Sequence, residues 1–214
     1  MDIFDLPYST SVRQIVPKSS FDPFTNSKQK AMFTGDIAKI VWCNKLSQET
    51  TNLPYREINE IQIFSIELKR QKNIKSILEI IDKAIPYPII FIVIYEDSAY
   101  LSASAKHLSP LYGEKSVIDW TFTSPWFRKT EKKYIITLRK DIDTVFFEFC
   151  RQLSPKSNGT IKNINDLSLY NSNIYSLEKE IEKLKKKIIS CTQFNKKVEL
   201  NLKLKKLEED LRNS

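Results

Sequence analysis

EIQIFSIELK, residues 60–69, begins a segment up to residue 95 from which the fold class can be predicted. Its β-branched and aromatic residues occupy both faces of an extended chain, which predicts a strand in the centre of a sheet. Ser76–Ile85 follows with apolar residues at helical spacing, and Pro86 marks the end of that helix. The apolar run IIFIVIY, residues 89–95, predicts a second buried strand. A strand, a helix and a strand in this order are typical of a parallel crossover.

The flanking segments extend this unit to a domain of residues 1–155. Further strands are predicted at 99–105, 116–123 and 133–138, and helices at 27–45 and 141–153. The proline-containing segment before residue 25 has little periodicity and predicts an irregular arm over the core. We therefore expect an α/β or α+β domain with a mixed sheet of about four to five strands flanked by helices.

The C-terminal part of the chain predicts a separate helical element. Residues 156–173 are interpreted as a linker, and residues 174–214 as a helical hairpin or coiled coil. Apolar side chains recur there every three or four residues, which builds a narrow seam along a helix. The first series is Ile174, Leu177, Ile181, Leu184 and Ile188, and the second is Leu200, Leu204, Leu207 and Leu211. The phase slips between the two series, which fits either an antiparallel hairpin that turns near Thr192 or one long helix with a stutter.

The composition argues against several classes of function. Only 3 glycines occur in 214 residues, so we do not expect a phosphate-cradling loop or a dinucleotide-binding fold. The cysteines are far apart and His107 is the single histidine, which leaves no metal motif built on these residues. The sequence lacks a signal peptide and a membrane-spanning apolar run, so we expect a cytoplasmic protein. A net charge of +8 is compatible with nucleic-acid binding.

Glu67 and Lys69 form the sharpest candidate for a catalytic site. Residues two apart on a strand share a face, so the carboxylate and the ammonium are expected side by side. Restriction-type nucleases use such a pair, with an upstream acid, to hold a divalent metal and orient water. Asp36 or Glu60 would supply that acid, although Asp36 lies in the predicted preceding helix and Glu60 is expected to face away. The alternative is that the pair only marks where a strand emerges into solvent.

A cluster of aromatic residues around Trp126 is followed by Arg128 and Lys129. Aromatic side chains with basic neighbours can stack on nucleic-acid bases, but they also fill the core and edge of small sheets. Both interpretations stay open, and His107 is assigned a structural or surface role.

Several stretches of the chain resemble one uncharacterised bacterial family. They include IVW at 40–42, EIQIF at 60–64, IDKAIP at 81–86 and, in the tail, QFNKKVELN at 193–201. In these stretches the chain is similar to domain-of-unknown-function family forty-three ninety-one. The resemblance implies a role beside DNA methyltransferases and helicases in restriction-like or phage-defence loci, and it implies no catalytic residues. Residues 190–192 depart from the family's pattern, in which charged residues are expected.

We therefore predict an accessory, non-catalytic subunit of a DNA-directed anti-phage defence assembly, without a cofactor. It is expected to dock a helicase or a DNA methyltransferase through Leu177, Ile181, Leu184, Ile188, Leu200, Leu204, Leu207, Leu211 and Trp126. Sequence-independent contacts to DNA phosphates are expected from Lys183, Lys185, Lys186, Lys187, Lys196 and Lys197. One alternative is a nuclease that uses Glu67, Lys69 and Asp36 with Mg²⁺ or Mn²⁺. Another is a homodimer joined by the C-terminal helices.

Overall fold

The computed structural model describes residues 3–108, 116–154 and 160–213 of the chain. The strands are β1 (Ser11–Ile15), β2 (Ile37–Ser47), β3 (Glu60–Leu68), β4 (Ile89–Tyr95), β5 (Ser98–Leu108), β6 (Ser116–Thr123) and β7 (Phe127–Arg128). The helices are α1 (Ser27–Asp36), α2 (Gln48–Thr51), α3 (Lys75–Ala84), α4 (Ile142–Gln152), α5 (Ile164–Ser190) and α6 (Phe194–Asn213). Short 3-10 segments lie at Tyr8–Thr10 and Lys18–Phe24. The first part of the predicted linker, residues 156–159, lies outside the described residues.

The described strands form one mixed sheet in the order β1-β2-β3-β4-β5-β6, with β7 paired to β5. β3 and β4 run parallel, with Gln62 opposite Ile89 and Glu67 opposite Ile94. The other pairs of neighbouring strands are antiparallel. α3 connects the two parallel strands, so the predicted crossover is confirmed. The α/β fold class is confirmed as well, with a 7-stranded sheet instead of the predicted four to five strands.

Both faces of β3 are buried, as the apolar sequence of this strand predicts. Phe64 and Ile66 pack in an apolar cluster with Ile77 of α3. Ile61 and Ile63 are fully buried too but lie outside that cluster, because successive side chains of a strand point to opposite faces. On this second side α4 packs against β3. The sheet is therefore a central layer between helices, which is the arrangement that near-continuous apolar strands require.

The prediction of a single helix over residues 27–45 is wrong. α1 begins after a capping box, in which Asn26 and Gln29 exchange hydrogen bonds, and it ends at Asp36. Ile37 then starts β2, which pairs with β1 on one side and β3 on the other. Register shifts in β2, between Ile37 and Lys39 and between Trp42 and Asn44, place inward residues three apart as well as two apart. Because of these bulges, the apolar residues of β2 have a spacing in the sequence that resembles the spacing of a helix.

Two further differences concern the edges of the domain. β1 lies in the segment predicted as an irregular arm, and residues 133–138, predicted as a strand, lie outside the strands. In this segment the backbone of Ile135 binds a side chain instead of a neighbouring strand. Ile135 N–H donates to Gln152 Oε1 at 3.0 Å, and Gln152 Nε2 donates to Ile135 O at 2.8 Å. Gln152 thus supplies Ile135 with the hydrogen bonds that a neighbouring strand would otherwise provide.

The chain divides into two compact units, with the boundary between Leu167 and Ser168. The second unit is an antiparallel hairpin of α5 and α6, which turns through residues 191–193. Two ion pairs join the helices, Lys203–Glu180 at 2.7 Å and Lys185–Glu208 at 2.8 Å. The hairpin interpretation of the phase slip is therefore confirmed. α5 begins at Ile164, within the segment that we interpreted as a linker.

No helix in the described part of the chain combines the length and the apolar character that a membrane crossing requires.

Candidate functional site

The structure brings Asp36 next to Lys69. Asp36 is the last residue of α1, and its backbone carbonyl accepts a hydrogen bond from the Lys69 N–H at 2.9 Å. In the same corner of the sheet Ile37 lies opposite Leu68 and Lys39 opposite Glu67. Asp36, Glu67 and Lys69 are thus gathered at one end of two neighbouring antiparallel strands. The sequence predicted Asp36 in a helix, which is correct, but it did not predict β2 and therefore missed the pairing that brings Asp36 next to Lys69.

Glu60, the other candidate acid, lies at the opposite end of β3. Its carboxylate forms an ion pair with Lys45 at 2.9 Å and accepts a hydrogen bond from the Gln62 side chain. This ion pair raises the pKa of Lys45. Glu60 therefore stabilises the pairing of β2 with β3 and contributes nothing to the corner at Asp36.

The Asp36 carboxylate is buried and is held between two cations. Arg70 donates to Oδ1 through Nη2 at 2.6 Å and through Nε at 3.0 Å, and Lys72 Nζ donates to Oδ2 at 2.9 Å. The carboxylate side chain is 3% exposed. Hydrogen bonds from Lys72 and then from Arg70 lower its pKa, against the opposing effect of burial. Asp36 is therefore an ionised acid whose two oxygens are already occupied by protein donors.

Two lysines donate hydrogen bonds to backbone carbonyl oxygens in the same corner. Lys69 Nζ donates to Thr34 O at 2.8 Å, and Lys18 Nζ donates to Ile37 O at 2.6 Å. Burial lowers the pKa of Lys18, and the positive charge of Lys69 lowers it further. The two ammonium groups are thus close enough to repel each other. Arg70, Lys72 and Lys18 were not predicted as site residues, although the basic run that follows β3 (Lys69, Arg70, Lys72) was a usable signal.

The donor set of this corner fits a divalent metal poorly. Within residues 3–108, 116–154 and 160–213, no three His, Cys, Asp or Glu side chains are grouped to hold a metal ion. The nuclease hypothesis needs two acids, but the oxygens of one of them, Asp36, bind Arg70 and Lys72. A magnesium or manganese ion at Asp36 would compete with both cations for the carboxylate oxygens and would be repelled by their positive charge.

Trp126, predicted as a docking residue, is half-buried against the core. Its ring packs edge-on to Tyr100 with centroids 4.8 Å apart. The Tyr100 hydroxyl accepts a hydrogen bond from Ile74 N–H at 3.2 Å, and burial raises the pKa of Tyr100 to about 12. His107 lies on the surface, where Nδ1 is 3.0 Å from Asp119 Oδ2. Both positions have packing or surface contacts that account for them without a ligand.

The apolar residues predicted for docking form the seam inside the hairpin. Ile181 and Leu184 are buried, and the remaining members from Leu177 to Leu211 are half-buried. The ion pairs Lys203–Glu180 and Lys185–Glu208 join α5 to α6 along the same stretch of the hairpin. Each series is thus the packing partner of the other, within one chain.

A different row of apolar side chains remains exposed on α6. Phe194 is 77% exposed, Val198 43% and Leu202 66%. They are four residues apart, and at about 100° per residue they lie on the side of the helix opposite the seam. We call these three residues the outer row. This row was not predicted from the sequence, because its three residues are outnumbered by the four leucines on the opposite side of the same helix.

The lysines predicted to contact DNA lie on the surface of the hairpin. Lys185 pairs with Glu208, and Lys186 pairs with Glu182 at 2.6 Å. The remaining predicted contacts are all exposed, namely Lys183, Lys187, Lys196 and Lys197. The hairpin therefore presents ammonium groups along both helices, interleaved with carboxylates.

Comparison with known proteins adds one relationship. Residues 4–211 match the model of a family described as "Domain of unknown function (DUF4391)". The chain belongs to this family. The match confirms the resemblance noted in the sequence and covers the sheet domain as well as the hairpin. Searches of curated proteins and of solved structures returned no significant match.

Proposed function

We propose that this chain is an accessory, non-catalytic subunit of a bacterial DNA-directed defence assembly, and that its hairpin docks a helicase or a DNA methyltransferase. The outer row of Phe194, Val198 and Leu202 is the observation that carries this proposal. Large apolar side chains exposed singly are ordinary, but a contiguous row on one helix face is typical of an interaction surface.

The seam explains why the outer row is available for a partner. Because α5 and α6 bury each other's apolar series, the hairpin is satisfied on its inner side without a second protein. Burying an exposed Phe, Val or Leu contributes about 1.5 to 3 kcal/mol each, so three such residues can anchor a partner helix. The class of partner, a helicase or a DNA methyltransferase, is what the resemblance noted in the sequence implies.

The Asp36 corner supports a non-catalytic role. It contains the acid and the lysine that a restriction-type nuclease uses, but Arg70 and Lys72 neutralise the acid. The exposed lysines of the hairpin would add sequence-independent contacts to DNA phosphates.

The docking test compares two hairpin variants in binding to the helicase and the methyltransferase of the same locus. The double substitution Phe194→Glu and Leu202→Glu places charges in the outer row and is expected to weaken the complex at least about 100-fold by calorimetry. Leu169→Glu is the control, because Leu169 is 63% exposed on α5 outside the outer row. The proposal is contradicted if neither enzyme binds the native chain. It is also contradicted if the double variant binds the enzymes as tightly as the Leu169→Glu control does.

A metal-dependent nuclease is the second candidate, and the hydrogen bond between Lys69 N–H and Asp36 O favours it. This contact supports the candidate because Asp36, Glu67 and Lys69 lie at the same corner of the sheet, and a restriction-type nuclease would use such a group to hold a divalent metal. The test incubates the full chain with duplex DNA and Mg²⁺ or Mn²⁺. Cleavage that disappears in Glu67→Ala and persists in Glu57→Ala, an exposed acid outside the corner, would establish this candidate and remove the non-catalytic one.

A further inference from the structure

Four cationic side chains converge on one short piece of backbone in the sheet domain. Their head groups donate to Thr34 O, to both oxygens of Asp36 and to Ile37 O. Those acceptors belong to residues 34–37, which span at most about 11 Å because consecutive Cα atoms are about 3.8 Å apart. We call this group the cationic corner, which consists of Lys18, Lys69, Arg70 and Lys72.

The cationic corner carries more positive charge than its surroundings neutralise. In the part of the chain that the structure describes, the ion pairs of these head groups reach one carboxylate, that of Asp36. Lys39 and Glu67 lie opposite each other nearby and balance in sign. Four cations against one acid leave a surplus of three positive charges.

The surplus charge is accessible to a ligand. The Arg70 side chain is 67% exposed and the Lys72 side chain 43% exposed. Lys18 and Lys69 each donate a hydrogen bond to a backbone carbonyl oxygen, which orients their head groups. The two positive charges repel each other, since the charge of Lys69 lowers the pKa of Lys18. An anion bound across the corner would relieve that repulsion, and preordered cations lose little side-chain entropy when they bind it.

We propose that the cationic corner binds the phosphodiester backbone of duplex DNA, independently of the sequence. Charge density favours this ligand over an acidic peptide. Duplex DNA carries one phosphate charge per about 1.7 Å of its axis, so a length of about 11 Å holds about six charges, counted over both strands. An extended peptide of that length holds only about three residues. This site is separate from the hairpin lysines and does not depend on docking by the outer row.

The test measures binding of a short fluorescent duplex to the full chain by anisotropy, in EDTA so that cleavage does not interfere. Arg70→Gln with Lys72→Gln is expected to weaken binding about tenfold and to lower the slope of log K against log salt by about two. Lys132→Gln with Arg139→Gln is the matched control, because these two cations are also exposed and each pairs with a carboxylate. The control is expected to bind like the native chain.

A further variant separates binding from folding. Asp36→Asn removes the one acid and leaves all four cations, so it is expected to bind DNA at least as tightly as the native chain, even if its stability falls. Phe194→Glu with Leu202→Glu is expected to keep DNA binding, which distinguishes failure of this inference from failure of the docking proposal.

Three results would overturn the inference. The first is equal loss of affinity in the corner variant and its control, which would indicate only a general charge effect. The second is displacement of the duplex by inorganic phosphate more strongly than by chloride at matched ionic strength, which would assign the corner to a free anion. The third is tighter, Arg70-dependent binding of polyglutamate than of the duplex, which would assign it to an acidic protein partner.

Discussion

Lys106 shows how a single charge can hold the end of a helix. Its Nζ donates to Asp82 Oδ1 at 2.8 Å, to Asp82 O at 2.7 Å and to Ile85 O at 2.7 Å. Both charged side chains are 1% exposed. Burial lowers the pKa of Lys106 and raises the pKa of Asp82, while their mutual attraction opposes both changes. Because all three donors of the ammonium are used, Lys106 closes the last turn of α3 and is not available for chemistry.

We expect Lys106→Met to destabilise the protein by about 3 to 5 kcal/mol, since it leaves Asp82 buried without a counter-charge. The free energy of unfolding in urea at neutral pH measures this effect. Lys132→Met is the control, because its ion pair with Asp5 lies in solvent, and no measurable change is expected. A native-like midpoint for Lys106→Met would contradict the role of the buried pair.

Asp36 makes a second residue-level prediction, which concerns pH. Hydrogen bonds from Lys72 and Arg70 lower the pKa of Asp36 in the folded chain. Its contribution to stability is therefore complete above the unfolded pKa of about 3.9, and is lost as the pH falls through the lower folded pKa. We expect Asp36→Asn to cost about 1 to 2 kcal/mol near pH 7, with the exposure of both cations limiting the effect.

Urea unfolding of the native chain and of Asp36→Asn at a series of pH values tests this dependence. The difference between the two unfolding free energies is expected to stay constant from about pH 7 to pH 5 and to shrink below about pH 4. A difference that grows as the solution becomes more acidic would show that Asp36 is not held ionised by its neighbours.

At the scale of elements, the hairpin is a pair of helices that each lack a core of their own. A two-helix unit is stable only while its seam stays packed, because isolated helices gain little from propensity alone. Leu184 is 5% exposed in the middle of the seam, whereas Leu202 of the outer row is 66% exposed. The same residue type therefore has two different roles on the two sides of one hairpin.

We expect Leu184→Ala to weaken the hairpin by about 2 to 3 kcal/mol through loss of buried contacts and a residual cavity. Hydrogen exchange followed by mass spectrometry should show at least about tenfold faster exchange in α6, with β3 and α3 unchanged. Leu202→Ala, which removes the same atoms from a solvent-exposed site, is expected to leave exchange at the native rate. Equal effects of the two variants would argue against the assigned seam.

At the scale of the whole molecule, the closed seam bears on assembly. A homodimer that pairs the seams of two chains would need the inner apolar surface of the tail to be free. In the hairpin that surface lies between α5 and α6 of the same chain, which the ion pairs Lys203–Glu180 and Lys185–Glu208 join. The full chain is therefore expected to be a monomer at micromolar concentration.

Light scattering coupled to size exclusion measures the mass directly. A dimer that becomes monomeric in Phe194→Glu with Leu202→Glu would show that a second copy occupies the outer row. A dimer that persists in this variant would place the contact elsewhere on the molecule. Either dimer would contradict the expectation of a monomer.

The amino-acid sequence alone determined the elements whose apolar pattern is local and uninterrupted. β3 and β4 follow from apolar runs, because burial on both faces leaves apolar residues at successive positions. α3 follows from apolar residues at helical spacing. The two tail helices follow from their repeating seams, and α4 from its apolar face and from Asp141, whose Oδ1 accepts a hydrogen bond from Thr144 N–H at 2.7 Å.

Tertiary structure alone decided the pairings between distant segments. β2 became a strand because β1 and β3 satisfy its backbone from both sides, and its bulges hide the alternation that marks strands in a sequence. The same pairing brought Asp36 to Lys69 and gathered the cationic corner. A local pattern records which face of an element is buried, but hydrogen bonds between strands depend on residues far apart in the chain, so no single segment encodes the site.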